Sequence, residues 1–387
     1  MKRKNRSTEI NSCILALFLS ETSVCSTINS FITIPYISVA IIFLLLAALI
    51  VTHGNRIKIN TSCLFLYIIV FEMLIFSCTL NGFIYVKNYL MYYIVFGFIS
   101  LLLISIEYDY KKVFYNILGI YAVVIFVYFV KFRIEFLSSK NYWSSQMGVA
   151  YSFVMPTLFC FSYLLFRRKT FSEASKYLSL LAIVELAASV YIITFDCGTR
   201  GAIISIVIGC TLLLIGATDN FRTIVVIIFM MIAIIVIFYQ MENILEWIEH
   251  TFLSSNVRSL RKYAQMLARG NADNGRNLYY REAWDYFRQR PTFGNGIGYF
   301  EKFHGGTYVH EIIFEVLCEY GIIGGIVLVV IFLHFAKQLI CTKVNEEKLF
   351  AIILIGILSV LIYSSSYWML PSFWFSLFFM LTYKKRR

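Results

Sequence analysis

Charged side chains are scarce in this chain: Asp, Glu, Lys and Arg make up 14% of its 387 residues, against 59% apolar residues. With a mean hydropathy of +0.75, so little charge excludes an ordinary soluble domain. DxD, HExxH, CxxC and Walker-type sequences are also missing, so no motif points to a metal ion or a bound nucleotide. Cysteine is absent from the long polar stretch 240–308. Most cysteines, such as Cys63, Cys78, Cys160, Cys210 and Cys318, sit inside apolar runs instead, so structural disulfides are not expected. No internal repeat is visible.

The chain does have long apolar runs. A hydrocarbon core about 30 Å thick takes roughly 17 to 25 mainly apolar residues per helix, which gives room for about ten to twelve spans. The runs place spans at 10–28, 31–51, 62–80, 84–106, 113–131, 148–166, 177–195, 201–217, 223–239, 309–333, 348–365 and 369–383. The expected fold is therefore all-α, a polytopic integral membrane protein with about twelve transmembrane helices and one large helical extracytoplasmic loop. Residues 1–239 would form helices 1–9 of the bundle, 240–308 the loop, and 309–387 helices 10–12, all in a single structural domain.

In a soluble protein a net charge of +12 would point to nucleic acid. Here the basic residues cluster at Lys2 to Arg6, Arg56 with Lys58, Lys111 with Lys112, Arg167 to Lys169, Lys337 to Lys348 and Lys384 to Arg387. All of these fall on one side of the predicted bundle, as the positive-inside rule requires, so both termini are expected in the cytoplasm. No nucleic-acid partner is expected. The basic start followed by Ile10 to Ser20 has the charge logic of a signal peptide, but no small-residue cleavage site follows, and an uncleaved first helix is expected.

The densest chemistry lies between Asn274 and Gly325. Asn277 to Arg290 reads as an amphipathic helix with Tyr280, Trp284 and Phe287 on one face and Arg281 and Arg288 on another, stopped by Pro291. A similar helix is expected over 241–252. Gly294, Gly296 and Gly298 can take positive φ, so their N–H groups could cradle an anion; a plain turn joining two helices is the other reading. His310 stands where the chain re-enters the membrane. On a continuous helix Phe314, Leu317, Gly321, Gly324 and Gly325 would share its face, with Glu311, Glu315 and Glu319 on the next.

A neutral imidazole is a natural general base for a hydroxyl, although an interfacial histidine bonded to a carbonyl would fit the same spacing. Glu72, Glu185, Glu315 and Glu319 are acids within spans, where a protonated or hydrogen-bonded carboxyl is the plainer reading and Glu319 is the leading exception. Arg200 lies in a tight outward turn, CGTRGA, against the positive-inside trend. Its guanidinium fork matches phosphate oxygens, whether of a substrate or of lipid headgroups.

Taken together, TRGA at Thr199 to Ala202, Gly275 with Arg276, Trp284 followed by RPTFGNGIGYF, and HEIIFEVLCEYGIIG from His310 resemble the bacterial O-antigen polymerase and O-antigen ligase superfamily. Family members usually carry Asn after that histidine, where this chain has Glu311. The resemblance covers about the last half of the chain. It implies an inverting, metal-independent glycosyltransferase of the bacterial inner membrane that needs no cofactor and works on the periplasmic side. Its donor and acceptor would be undecaprenyl-diphosphate-linked oligosaccharides, with membrane lipids and a chain-length regulator as further partners.

The resemblance further implies that Arg200 and Arg276 hold the diphosphate and offset its charge, and that His310 takes the acceptor proton. Arg281, Trp284, Gly294 and Gly296 would assist in binding, while Glu319 and Gly321 would support the helix after His310. A composition rich in Ile, Phe, Tyr and Asn fits the AT-rich gene clusters that commonly encode polymerases, and it favours polymerase over ligase. A polysaccharide-repeat flippase is the rival of another class; it would have little use for so large an outward loop.

Overall fold

The computed structural model describes residues 2–29, 31, 37–53, 57–138, 142–217, 225, 232, 276–340 and 342–383. Among these, every regular element is helical. The helices are α1 (Lys2–Leu19), α2 (Glu21–Asn29), α3 (Ile37–His53), α4 (Thr61–Asn81), α5 (Phe83–Leu103), α6 (Tyr110–Phe132), α7 (Gln146–Phe166) and α8 (Lys176–Cys197). They continue with α9 (Arg200–Ala217), α10 (Arg276–Gln289), α11 (Tyr299–Phe303), α12 (Ile312–Ile340), α13 (Glu346–Leu358) and α14 (Pro371–Thr382).

Six of them, α4 to α8 and α12, are long and apolar enough to cross a membrane. The bent pair α1 and α2, meeting at 68°, makes a seventh if it counts as one span. This is the helical architecture of a polytopic membrane protein. Of the expected span 223–239 only residues 225 and 232 are described, and the helix expected over 241–252 lies outside the described residues.

The helix starts are written in the sequence. Asn60, Asp109, Ser175 and Asn345 each accept a backbone N–H in the first turn of α4, α6, α8 and α13, and Pro371 sits in the first turn of α14, where its missing N–H costs nothing.

The chain forms two compact units, each assembled from three stretches of sequence. The first comprises Met1–Ile41, Tyr108–Ala272 and Lys343–Val360. Within it α7, α9 and α13 approach closely, because a Cβ on Gly209 would lie 2.5 Å from Leu158 and one on Gly356 would lie 3.0 Å from the Gly209 Cα. The second comprises Ile42–Glu107, Asp273–Thr342 and Leu361–Arg387. Its aromatic core includes the fully buried Trp368, with Tyr89, Tyr93 and Trp374 around the indole.

The second unit is organised by a break. The sequence predicts a continuous helix starting at His310. Instead α12 starts at Ile312, after His310 with φ 68°, and it is interrupted at Gly321 with φ 65° and ψ −158°. His310 and Gly321, Gly324 and Gly325 therefore do not form one helical stripe. The turn after α10 fills the break: Asn295 and Gly296 donate to the carbonyls of Cys318 and Glu319, at 2.8 and 2.9 Å. In return Ile322 donates to the Pro291 carbonyl at 2.8 Å, and Ile323 donates to that of Thr292. Backbone groups freed by a broken helix in apolar surroundings need such partners.

Two glycines permit the contact. A Cβ on Gly294 would lie 2.5 Å from the Glu319 carbonyl, and one on Gly321 would lie 2.6 Å from that of Pro291. Gly321→Ala should therefore suffer both a backbone penalty of about 1–3 kcal/mol and a clash. Gly305, with φ 60° and open space around it, should suffer only the first when changed to Ala. Thermal unfolding in detergent should show the larger drop in Tm for Gly321→Ala; equal drops would mean that the contact at the break is not tight.

Candidate active site

The helix α10 lies against the first part of α12 through the face that the sequence predicts. Tyr280 stacks on Phe314 with ring centres 5.3 Å apart, Trp284 meets the same ring at 6.4 Å, and Phe287 is buried. Arg276 is the first residue of this helix, and its Nη1 donates to the Tyr363 carbonyl at 2.5 Å. Arg281 and Trp284 lie farther along the helix, and both are exposed.

His310 is half-buried between Tyr308, with ring centres 4.0 Å apart, and Tyr279, which stacks over it at 6.3 Å. Its Nδ1 is buried and has no hydrogen-bond partner among the described residues. Burial in the first place, and then the positive charge of Arg276, push its pKa down to about 4. The ring is thus neutral at physiological pH, and the guanidinium of Arg276 acts on it directly. Left-handed backbone is uncommon for a residue other than glycine and often marks a functional position.

Glu311 caps α12: its carboxylate accepts from Ile313 N–H at 3.2 Å and Phe314 N–H at 3.0 Å. Asn at this position could make the same cap, which gives the departure at Glu311 a local explanation. Glu315 and Glu319 are buried, and the aromatic segment after α13 supplies donors to both. Ser366 donates to Glu315 at 2.5 Å; Tyr367 and the Trp368 indole, the latter at 3.2 Å, donate to Glu319. Glu301, on α11, accepts from Tyr89 at 2.6 Å, and burial pushes its carboxyl up to about 6. Glu315 and Glu319, the latter the leading exception in the sequence reading, are thus both hydrogen-bonded, and these bonds tie the first half of α12 to the segment after α13.

The glycine turn needs a correction. The N–H groups of Gly294 and Gly296 are committed to the carbonyls of Arg290 and Glu319. They are not aimed together at an anion, because the turn uses them to dock on the break in α12. Its other anchors are Asn81, which donates to the Asn295 and Ile297 carbonyls, and Ser77, which accepts from Ile297 N–H. A groove of about 550 Å³ runs between α4 and this turn, bordered by Met73, Phe76, Leu80, Phe293 and Tyr320. His310 and Arg276 do not line it.

Arg200 belongs to the first unit and is described there. α8 ends in a π-helical turn closed by Gly198, which is left-handed at φ 60° and donates to the Ile193 carbonyl at 2.9 Å. Arg200 then begins α9, where helix N–H groups favour negative charge. Asp196, just before the turn, is gripped by Arg133 through two bonds of 2.8 and 2.9 Å, and Tyr128 donates to it at 3.1 Å.

The reading from sequence missed His304, whose ring bonds Glu282 at 2.7 Å and the Phe300 carbonyl at 2.8 Å. Its one signal was a histidine followed by two glycines, which sequence alone cannot pair with an acid on another helix. Among the described residues, no three His, Cys, Asp or Glu side chains converge to hold a metal ion.

Residues 186–329 match the family model described as O-antigen ligase. The matched stretch includes Arg200, Arg276, the glycine turn, His310 and the break at Gly321, and it supports the O-antigen polymerase and ligase superfamily. It supports O-antigen polymerase or ligase activity in general, and with it an enzyme of the glycosyltransferase kind set in a membrane. No curated protein and no solved structure matches the chain.

The capping geometry makes a prediction. Glu311→Ala should cost about 1 kcal/mol, the usual price of a lost helix cap, whereas Glu311→Asn should stay within a few tenths. Equal losses in thermal unfolding would assign Glu311 a role other than capping.

Proposed function

We propose, from a family match that takes in Arg200, Arg276 and His310, that this chain is a polymerase of O-antigen or a related surface polysaccharide. It transfers a glycan from undecaprenyl diphosphate to a sugar hydroxyl of another lipid-linked repeat, at the outer face of the bacterial inner membrane. About twelve spans, with both termini in the cytoplasm, would set His310 at that face.

The observation that carries the proposal is the half-buried His310 imidazole under the charge of Arg276, with its Nδ1 buried and without a hydrogen-bond partner among the described residues. In the reaction the acceptor O–H gives its proton to the unprotonated nitrogen of His310, and its oxygen bonds to the anomeric carbon. The bond from that carbon to the phosphate oxygen breaks on the opposite face, which inverts the centre. Undecaprenyl diphosphate leaves with the electron pair, and Arg276 offsets its charge. Arg200 enters the reading through the resemblance and the helix end on which it stands. The exposed apolar residues of α4 bordering the groove fit a prenyl chain. Polymerase is preferred over ligase on composition; ligase, which passes the glycan to the lipid A core, is favoured by the description of the matched family.

Complementation decides between the two. A polymerase restores long chains in a polymerase-null strain, and a ligase restores attachment in a ligase-null strain; restoring neither would overturn both. With purified protein, His310→Ala should bind lipid-linked repeats yet lose about 10²–10⁴ in kcat. Arg276→Ala should lose about 10²–10³, and Arg200→Ala should weaken use of the donor.

The acidity of His310 also sets a pH dependence. The neutral ring is the competent form and is lost only as pH falls through about 4. The acid limb of kcat/KM, which reports free enzyme, should therefore lie near 4 rather than near the ordinary histidine value of about 6.5. A bound diphosphate offsets the charge of Arg276, so His310 becomes more basic and the acid limb of kcat should move to higher pH. An acid limb near 6.5 in kcat/KM would remove His310 as the base.

A further inference from the structure

His304 ends α11, and Glu282 lies in the middle of α10. The His304 ring stacks on Phe300 at 3.9 Å with planes 6° apart, and Tyr279 and Tyr286 present their edges to it at 5.7 and 6.1 Å. Only 12% of its side chain is exposed, so its two polar contacts are made largely out of water. A carbonyl oxygen can only accept; Nδ1 therefore carries a proton and donates it to Phe300. Nε2 then faces the Glu282 carboxyl, and the 2.7 Å contact requires one further proton between the two groups, as imidazolium with carboxylate or as imidazole with carboxylic acid.

Six residues after His304 comes His310. The segment between them contains Gly305 and Gly306, both at positive φ with open space around them, so it has little packing of its own there. It is fixed at its ends. His304 is bound to α10, while Glu311 caps α12. In the middle, Gly306 N–H donates to the Glu301 carbonyl at 2.9 Å. Tyr279 bridges the two histidines, edge-on to one and stacked on the other. The helix to which His304 is tied is also the helix that Arg276 begins.

We propose that Glu282 and His304 form a positioning pair that ties the segment carrying His310 to the helix carrying Arg276. This rests on the reading of His310 as acceptor base and Arg276 as diphosphate ligand. The pair itself touches no substrate. A side chain at either position that cannot complete the Nε2 contact frees the His310 segment from α10.

The other groups that act on the pair are Tyr279 and Tyr286 on α10, Glu301 on α11, and His310 through Tyr279. Glu301 is held by Tyr89, while the Lys302 ammonium lies over the Phe303 ring at 5.9 Å.

The test has two arms on full-length protein in detergent. Hydrogen exchange of the peptide spanning 305–311 reads the tie without any substrate. His304→Ala and Glu282→Ala should speed its exchange relative to wild type at one fixed neutral pH. Glu282→Gln should leave it slow, because a Gln amide donates to neutral Nε2 and keeps the contact. Glycan transfer from a lipid-linked donor reads the consequence: kcat should fall about 10- to 100-fold in the two Ala variants, as for a misplaced reacting group, with donor KM unchanged. The double variant should be no worse than either single one, and Glu282→Gln should keep activity.

Unchanged exchange in the Ala variants would overturn the tie. Raised exchange with wild-type kcat would overturn its bearing on the reaction. If wild type transfers no glycan at all, the proposed function fails, while the exchange arm still decides the tie.

Discussion

The second unit depends on one constraint: a helix interrupted in apolar surroundings must have its freed backbone groups satisfied from elsewhere. At Gly321 that partner is the segment Pro291–Gly296, which returns two N–H donors and two carbonyl acceptors to the broken ends. The partnership fixes where α10 ends and how close the turn lies to α12. Asn81 and Ser77 extend it to α4, and the hydroxyl and indole groups of Ser366, Tyr367 and Trp368 extend it to the buried acids on the same half-helix. The short first half of α12 is thereby held from several sides, and His310 stands just before it.

Electrostatics at His310 follow from that placement. A histidine this buried, within reach of the Arg276 charge, stays neutral to well below neutral pH. Such a ring is a poor base by itself, but an anion drawn to Arg276 removes part of the cause. On the proposed reading, donor binding and proton acceptance would be coupled through one charge, without any movement of the chain.

Much of the framework was legible in the sequence. Apolar runs at 62–80, 84–106 and 177–195 correspond to Thr61–Asn81, Phe83–Leu103 and Lys176–Cys197, because hydropathy and basic flanks report where lipid is the solvent. The face of α10 carrying Tyr280, Trp284 and Phe287, and its stop before Pro291, were legible from period and from the missing N–H of proline.

The break at Gly321 was not. An average over apolar residues passes smoothly through a glycine, and the groups that satisfy the break lie about thirty positions upstream. For the same reason the sequence left an anion nest open at Gly294 and Gly296 beside a plain turn, since their amide partners are backbone carbonyls that no side-chain pattern encodes. The pairing of His304 with Glu282 depends on how α11 folds back on α10, which no local spacing reveals.

The turn docked at Gly321 also bears on the order in which the chain is made. Residues 291–296 leave the ribosome before 318–323, so the turn has no docking place when it first appears, while Ser77 and Asn81 of α4 are already present. Until the downstream segment enters, two amide hydrogens and two carbonyls on each side lack their final partners, and each would cost about 1–3 kcal/mol if buried bare. Neither piece can settle in lipid ahead of the other. Turn and broken helix should therefore enter their final positions together, and the segment bearing His310, which joins them, takes its shape at that moment.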